Sequence, residues 1–153
     1  MIVSLYKDNS HAFNYVVSKW KRGPYSHSEL IFSDGRSGSS SFRDGGVRVK
    51  PVVYDPLKWD FIVLDNSYSE EFATKWFEDH KDDKYDLLGI AGFVISPVAE
   101  DKGKEFCSET VMLATGYPEG WRVDPNLLPI VFNKTPIDGL LFDYEKYNVP
   151  KKL

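Results

Sequence analysis

Ser26-His27-Ser28-Glu29-Leu30-Ile31-Phe32, followed at once by Ser33-Asp34-Gly35, is the stretch that decides the fold. In an extended chain alternate side chains share a face, so Ser28, Leu30 and Phe32 lie on one side and His27 and Glu29 on the other. Ser-Asp-Gly is turn chemistry. A second strand through Ser39 to Arg43 therefore folds back on the first as a hairpin. Asp44-Gly45-Gly46 breaks it, and Val47 to Val53 resumes extended structure. Upstream, Ile2 to Tyr6 reads as a short strand. Downstream, Trp59 to Leu64 is an apolar run bounded by polar turns, which predicts a buried strand.

Helical patterns surround these strands. Asp8, Asn9 and Ser10 are helix-start residues, and Phe13, Val16, Val17 and Trp20 recur at helical spacing, so 10–21 is expected to form an amphipathic helix ended by Gly23-Pro24. Glu70 to His80 places Phe72, Trp76 and Phe77 on one side. Tyr85 to Val94 is apolar and reads as a helix carrying two weakening glycines, Gly89 and Gly92. Glu100 to Lys104 reads as a charged loop. Ser108 to Thr115 forms a short helix with Cys107 at its start and Gly116 as its cap. Asp124-Pro125 opens a last helix through Val131. Strands flanked by helices give an α+β class, an antiparallel sheet packed against helices. With 153 residues the chain fits one domain. That domain is expected to span 1–145, with 146–153 as a frayed tail.

Composition narrows the function. Aromatic residues make up 15% of the chain, enough for flat side chains to dominate a core or line a cleft. The formal net charge of −4 argues against adhesion to nucleic acid or an anionic membrane. A single cysteine excludes an intramolecular disulfide and fits a reducing compartment. The apolar run at the N-terminus is short and has no basic region ahead of it, so neither signal peptide nor membrane span is expected. These features point to the cytoplasm of the producing cell.

The chemistry centres on Cys107. A thiolate is the reactive form of cysteine, and a helix N-terminus stabilises an anion. The plain alternative is that Cys107 is a small buried hydrophobe. A nucleophilic cysteine needs a base, most often histidine. Of the three histidines, His80 sits in a charged helix end and His11 in a first helical turn, both suited to solvent. His27 sits near the start of a strand, where a base is held rigidly. A third group orients the imidazole. Glu29 shares a face with His27, but two residues of strand rise about 6.6–6.8 Å. The neighbouring strand, with Ser39, Ser40 and Ser41, is therefore the preferred source. Asp44-Gly45-Gly46 lacks the glycine spacing and lysine of a phosphate loop. His80 among loose acids lacks metal-ligand spacing. No cofactor and no metal are expected.

Four segments in order carry a family resemblance. They are Tyr25-Ser26-His27-Ser28-Glu29-Leu30, Ser39-Ser40-Ser41-Phe42-Arg43-Asp44-Gly45-Gly46-Val47-Arg48, Tyr85-Asp86-Leu87-Leu88-Gly89 and Phe106-Cys107-Ser108-Glu109. Together they resemble the circularly permuted branch of the NlpC/P60 papain-like superfamily, in which the histidine strand precedes the cysteine helix. The similarity is greatest to small bacteriophage and prophage proteins. It implies Cys107 as nucleophile, His27 as general base, Tyr85 in the cleft and a third polar member in the Ser39–Ser41 strand. Many permuted members carry a stronger acceptor than serine at that third position.

The expected function is a cysteine hydrolase (amidase or peptidase) or an acyltransferase. It would work through a Cys107 thioester, with the backbone N–H of Cys107 or Ser108 holding the oxyanion. The resemblance implies a peptide, amide or ester substrate, cell-wall peptide among them, reached from the virion or after release at lysis. The alternative is a non-catalytic binding or virion-associated module on the same fold.

Overall fold

The computed structural model describes residues 1–7, 23–81, 83–85, 104, 105, 107–118 and 123–153. The helix expected over 10–21, residues 86–94 of the next apolar run and residues 100–103 of the charged loop lie outside them. The architecture is α+β. Strands β1 (Ile2–Tyr6), β2 (His27–Ile31), β3 (Arg36–Ser41), β4 (Gly46–Pro51) and β5 (Trp59–Val63) form the body of the sheet. The two-residue strands β6 (Lys84–Tyr85), β7 (Lys104–Glu105) and β8 (Ile137–Asp138) extend its edges. The order is β7-β6-β4-β3-β2-β1-β5-β8, antiparallel throughout except for the β6–β7 pair.

The hairpin forms where the sequence places it, with a shorter turn than expected. Gly35 takes a φ of +82°, which glycine adopts without steric cost. The return strand starts at Arg36 rather than Ser39, and a 3-10 turn over Phe42–Asp44 ends it.

Both faces of the sheet are covered. Val3, Leu5, Leu30, Val47 and Ile62 pack under helices α1 (Glu70–Asp79) and α2 (Cys107–Ala114), which contribute Ala73, Phe77, Val111, Met112 and Ala114. Ser69 caps α1 by accepting from the backbone N–H of Phe72, as serine does at a helix start. Phe77 lies directly on β3. A Cβ on Gly38 would come within 2.5–2.8 Å of its ring atoms, so only glycine fits there. On the other face Ile2, Ile31, Tyr54, Trp59 and Phe61 meet Phe142, Tyr144 and Val149.

Three expectations change. Tyr85 ends a two-residue strand, paired through Lys84 to Gly46 and alongside Lys104–Glu105, instead of opening a helix, and Lys104 is strand instead of loop. Helix α3 (Leu128–Val131) is a single turn rather than the run from Asp124. Residues 146–153, expected to fray, are tied down. Val149 is buried, Tyr147 stacks on Phe142, and Lys151 bridges to Tyr54. Among the described residues no helix is long and apolar enough to cross a membrane.

Candidate active site

β2 and α2 both begin with a residue of interest, His27 and Cys107. α2 packs on the Leu30 face of the sheet, whereas His27 shares the opposite face with Glu29. Cys107 nevertheless acts on the imidazole, by charge attraction and a hydrogen-bonding contact that both favour its protonated form. Cys107 is 4% exposed, and the His27 side chain is 22% exposed.

Neighbouring strands hold the imidazole in place. Tyr6 on β1 stands opposite both His27 and Trp59, and the Trp59 ring approaches His27 edge-on at 6.3 Å between centroids. Just upstream, the Asn126 side chain accepts from the Tyr25 backbone N–H at 2.8 Å and donates to its carbonyl at 3.0 Å. The Ser26 N–H donates to the Tyr6 carbonyl. The approach to His27 is thus fixed on both sides.

Glu29 is the carboxylate within reach of the imidazole: His27 Nε2 lies 3.3 Å from Glu29 Oε1. The strand-rise argument against Glu29 fails because both side chains are long and lean along the strand toward each other. Ser39, one of the serines expected in this role, is engaged elsewhere. Ser39 Oγ donates to the Ser28 carbonyl at 2.7 Å.

The Glu29 carboxylate is nearly enclosed, at 3% exposure. Beyond His27, its Oε1 accepts from Arg48 Nη2, and its Oε2 accepts from Ser37 Oγ at 2.8 Å and from Tyr54 OH at 2.9 Å. Burial alone would push this carboxyl up. The His27 hydrogen bond and the Arg48 charge overcome that and hold it well below the ordinary carboxylate range. His27 behaves in the opposite sense. Burial disfavours its charge, but attraction and a hydrogen bond to Cys107, followed by those to Glu29, raise it to about 9. A protonated imidazole beside an ionised Glu29 is the state this arrangement favours.

Other sequence candidates fall as follows. Ser108, the second residue of α2, is fully buried, and its hydroxyl has no hydrogen-bond partner among the described residues. The backbone N–H groups of the first turn of α2 lack partners within the helix by geometry, so those of Cys107 and Ser108 can face an oxyanion. The Tyr85 side chain lies outside the described part. His80 stacks on Trp76 and its Nδ1 donates to the Trp76 carbonyl at 2.7 Å, away from the site. Among the described residues no group of three or more His, Cys, Asp or Glu is placed to hold a metal.

The Arg48–Glu29 pair was not singled out from sequence. The available signal was Arg48 at an alternate position of β4, facing a run of small serines on the next strand. No protein-family model matches this chain, and no curated protein sequence matches it either.

Proposed function

We propose that the protein is a cysteine hydrolase or acyltransferase built on the permuted NlpC/P60 papain-like plan, acting on a peptide, amide or ester carbonyl. The observation that carries this reading is His27 bridging the Cys107 sulfur and the buried Glu29 carboxylate. The chain order, histidine strand before cysteine helix, fits the permuted branch.

Cys107 as thiolate attacks the acyl carbon, and a C–S bond forms while the carbonyl electrons move onto oxygen. The N–H groups at the start of α2 receive that oxyanion. His27 gives its proton to the leaving amine or alcohol as the bond to the acyl carbon breaks. The resulting thioester is attacked by water or an acceptor hydroxyl or amine, whose proton returns to His27 as the C–S bond breaks and its electron pair returns to the Cys107 sulfur. Glu29 stabilises the imidazolium and fixes which ring nitrogen faces sulfur. Cell-wall peptide amides are the substrate class this plan suggests, met from a phage particle or at lysis.

Alkylation by iodoacetamide at pH 7 tests the site. Cys107 should label about tenfold faster than free cysteine, and His27→Ala should remove the advantage. Labelling at the free-thiol rate in both proteins would sink the proposal. Purified cell wall releasing no new amines would discard that substrate and leave the chemistry standing. The 4% exposure of Cys107 favours a second reading, a non-catalytic binding module. Slow labelling with an intact fold is its signature.

A further inference from the structure

β4 lies two strands away from β2, yet its Arg48 reaches Glu29. Two strand spacings span about 9–10 Å, so the intervening β3 must offer no bulk at the crossing. In register, Arg48 stands opposite Ser39, and Lys50 opposite Ser37. The serines of β3 thus leave a shallow lane across which the guanidinium passes. Its side chain is 13% exposed and is held at three points. Nη2 donates to Glu29 Oε1, Nη1 donates to the Ser37 carbonyl at 3.3 Å, and Nε donates to Asp44 Oδ2 at 2.9 Å. Asp44 is in turn gripped by Lys50 Nζ at 2.6 and 2.7 Å from its two oxygens. The Asp44-Gly45-Gly46 turn presents this carboxylate. Gly46 is required there, since a Cβ would sit 2.0 Å from the Asp83 carbonyl oxygen.

We infer that Arg48 is a positioning residue, which fixes the Glu29 carboxylate against His27 from across β3 and is itself anchored by Asp44. The inference rests on the proposed function for its catalytic meaning. A planar guanidinium suits the task because its fork serves Glu29, a backbone carbonyl and Asp44 together, which an ammonium cannot do. The groups facing Glu29 are His27 on its own strand, Arg48 from β4, Ser37 from β3, and Tyr54 from the segment after β4. Of these only His27 and Arg48 carry positive charge. Removing Arg48 leaves a buried carboxylate with one charged partner.

The test is carboxyl-carbon NMR titration of Glu29 together with the pH profile of Cys107 alkylation, in Arg48→Met, Arg48→Lys and the Glu29→Gln/Arg48→Met double variant. Glu29 should titrate at least one unit higher in Arg48→Met, and by a smaller step in Arg48→Lys, which retains charge and secures the fold. Arg48→Met should shift the alkylation profile in the Glu29 background and change the rate less than about twofold in the Glu29→Gln background, since coupled residues are non-additive. An unmoved Glu29 titration in either folded single variant, or equal effects of Arg48→Met in both backgrounds, would overturn the inference. A wild-type Cys107 no more reactive than free cysteine would refute the hydrolase reading instead, and the Glu29 titration would still decide the role of Arg48.

Discussion

Replacing Glu29 by glutamine removes one negative charge from a site whose balance depends on it. Shape is nearly conserved, so the effect is electrostatic. Glu29 Oε1 lies 3.3 Å from His27 Nε2. With the two charge centres about 4 Å apart, an effective dielectric near 20 gives roughly 4 kcal/mol of attraction. The amide oxygen of glutamine recovers part of that as a hydrogen bond. The remaining loss corresponds to a fall of about 1–3 units in the imidazole, in line with an opposite charge at this range. Arg48 stays nearby with Asp44 as its partner, and its positive charge acts in the same direction. His27, raised to about 9 in the native site, should therefore titrate at about 6–8. Histidine-selective NMR reads this directly. The three imidazoles can be told apart by comparison with His27→Ala. A parallel urea titration is needed, because breaking a buried ion pair costs about 3–5 kcal/mol. If His27 in folded Glu29→Gln still titrates within half a unit of wild type, the carboxylate does not govern the imidazole, and the assignment of Glu29 is wrong.

Cys107→Ser removes the anion on the other side of His27, so the imidazole should again titrate lower by about 1–3 units, read by the same NMR experiment. In the wild type, acyl transfer that needs an imidazolium as proton donor should decline about tenfold per unit as pH rises through about 9. The sign for stability is opposite at Glu29. Its folded carboxyl is held below the ordinary value of 4.5, so its contribution is complete above that value and is lost as pH falls. Glu29 should account for about 1.4 kcal/mol of the stability lost per pH unit below 4.5, and urea midpoints of Glu29→Gln should show a slope shallower by that amount. Gly38→Ala should destabilise by about 1–3 kcal/mol through overpacking against Phe77, measured by chemical denaturation, and a neutral result would refute the close approach.

The strands were legible wherever local chemistry and burial agree. Ile2–Tyr6 and Trp59–Val63 are apolar runs bounded by polar turns, and they form central strands. The hairpin after Phe32 was marked by Ser33-Asp34-Gly35, but its register was not. Serine and glycine are tolerant residues, and the return strand is fixed by Gly38 beneath Phe77, a contact with a helix some forty residues away. The Tyr85 segment was misread because its apolar composition suits either element, and its pairing partners, Gly46 and the Lys104–Glu105 strand, lie elsewhere in the chain. In the site, Cys107 and His27 were visible because each is a rare residue at the start of an element. Glu29 was displaced by an argument from backbone rise that ignored side-chain reach. Arg48 escaped notice because its importance comes from crossing β3, and linear spacing carries no trace of that. The fraying expected of 146–153 overlooked Val149 and Tyr147, whose apolar contacts hold the segment.

Tyr54 joins residues 150–152 to the Glu29 carboxylate. Its hydroxyl donates to Glu29, while its backbone N–H donates to the Pro150 carbonyl and its own carbonyl accepts from the Lys152 N–H. The backbone of residues 150–152 thus clamps the one phenol that donates to the buried Glu29 carboxylate, so loss of these two bonds would loosen the wall around that acid.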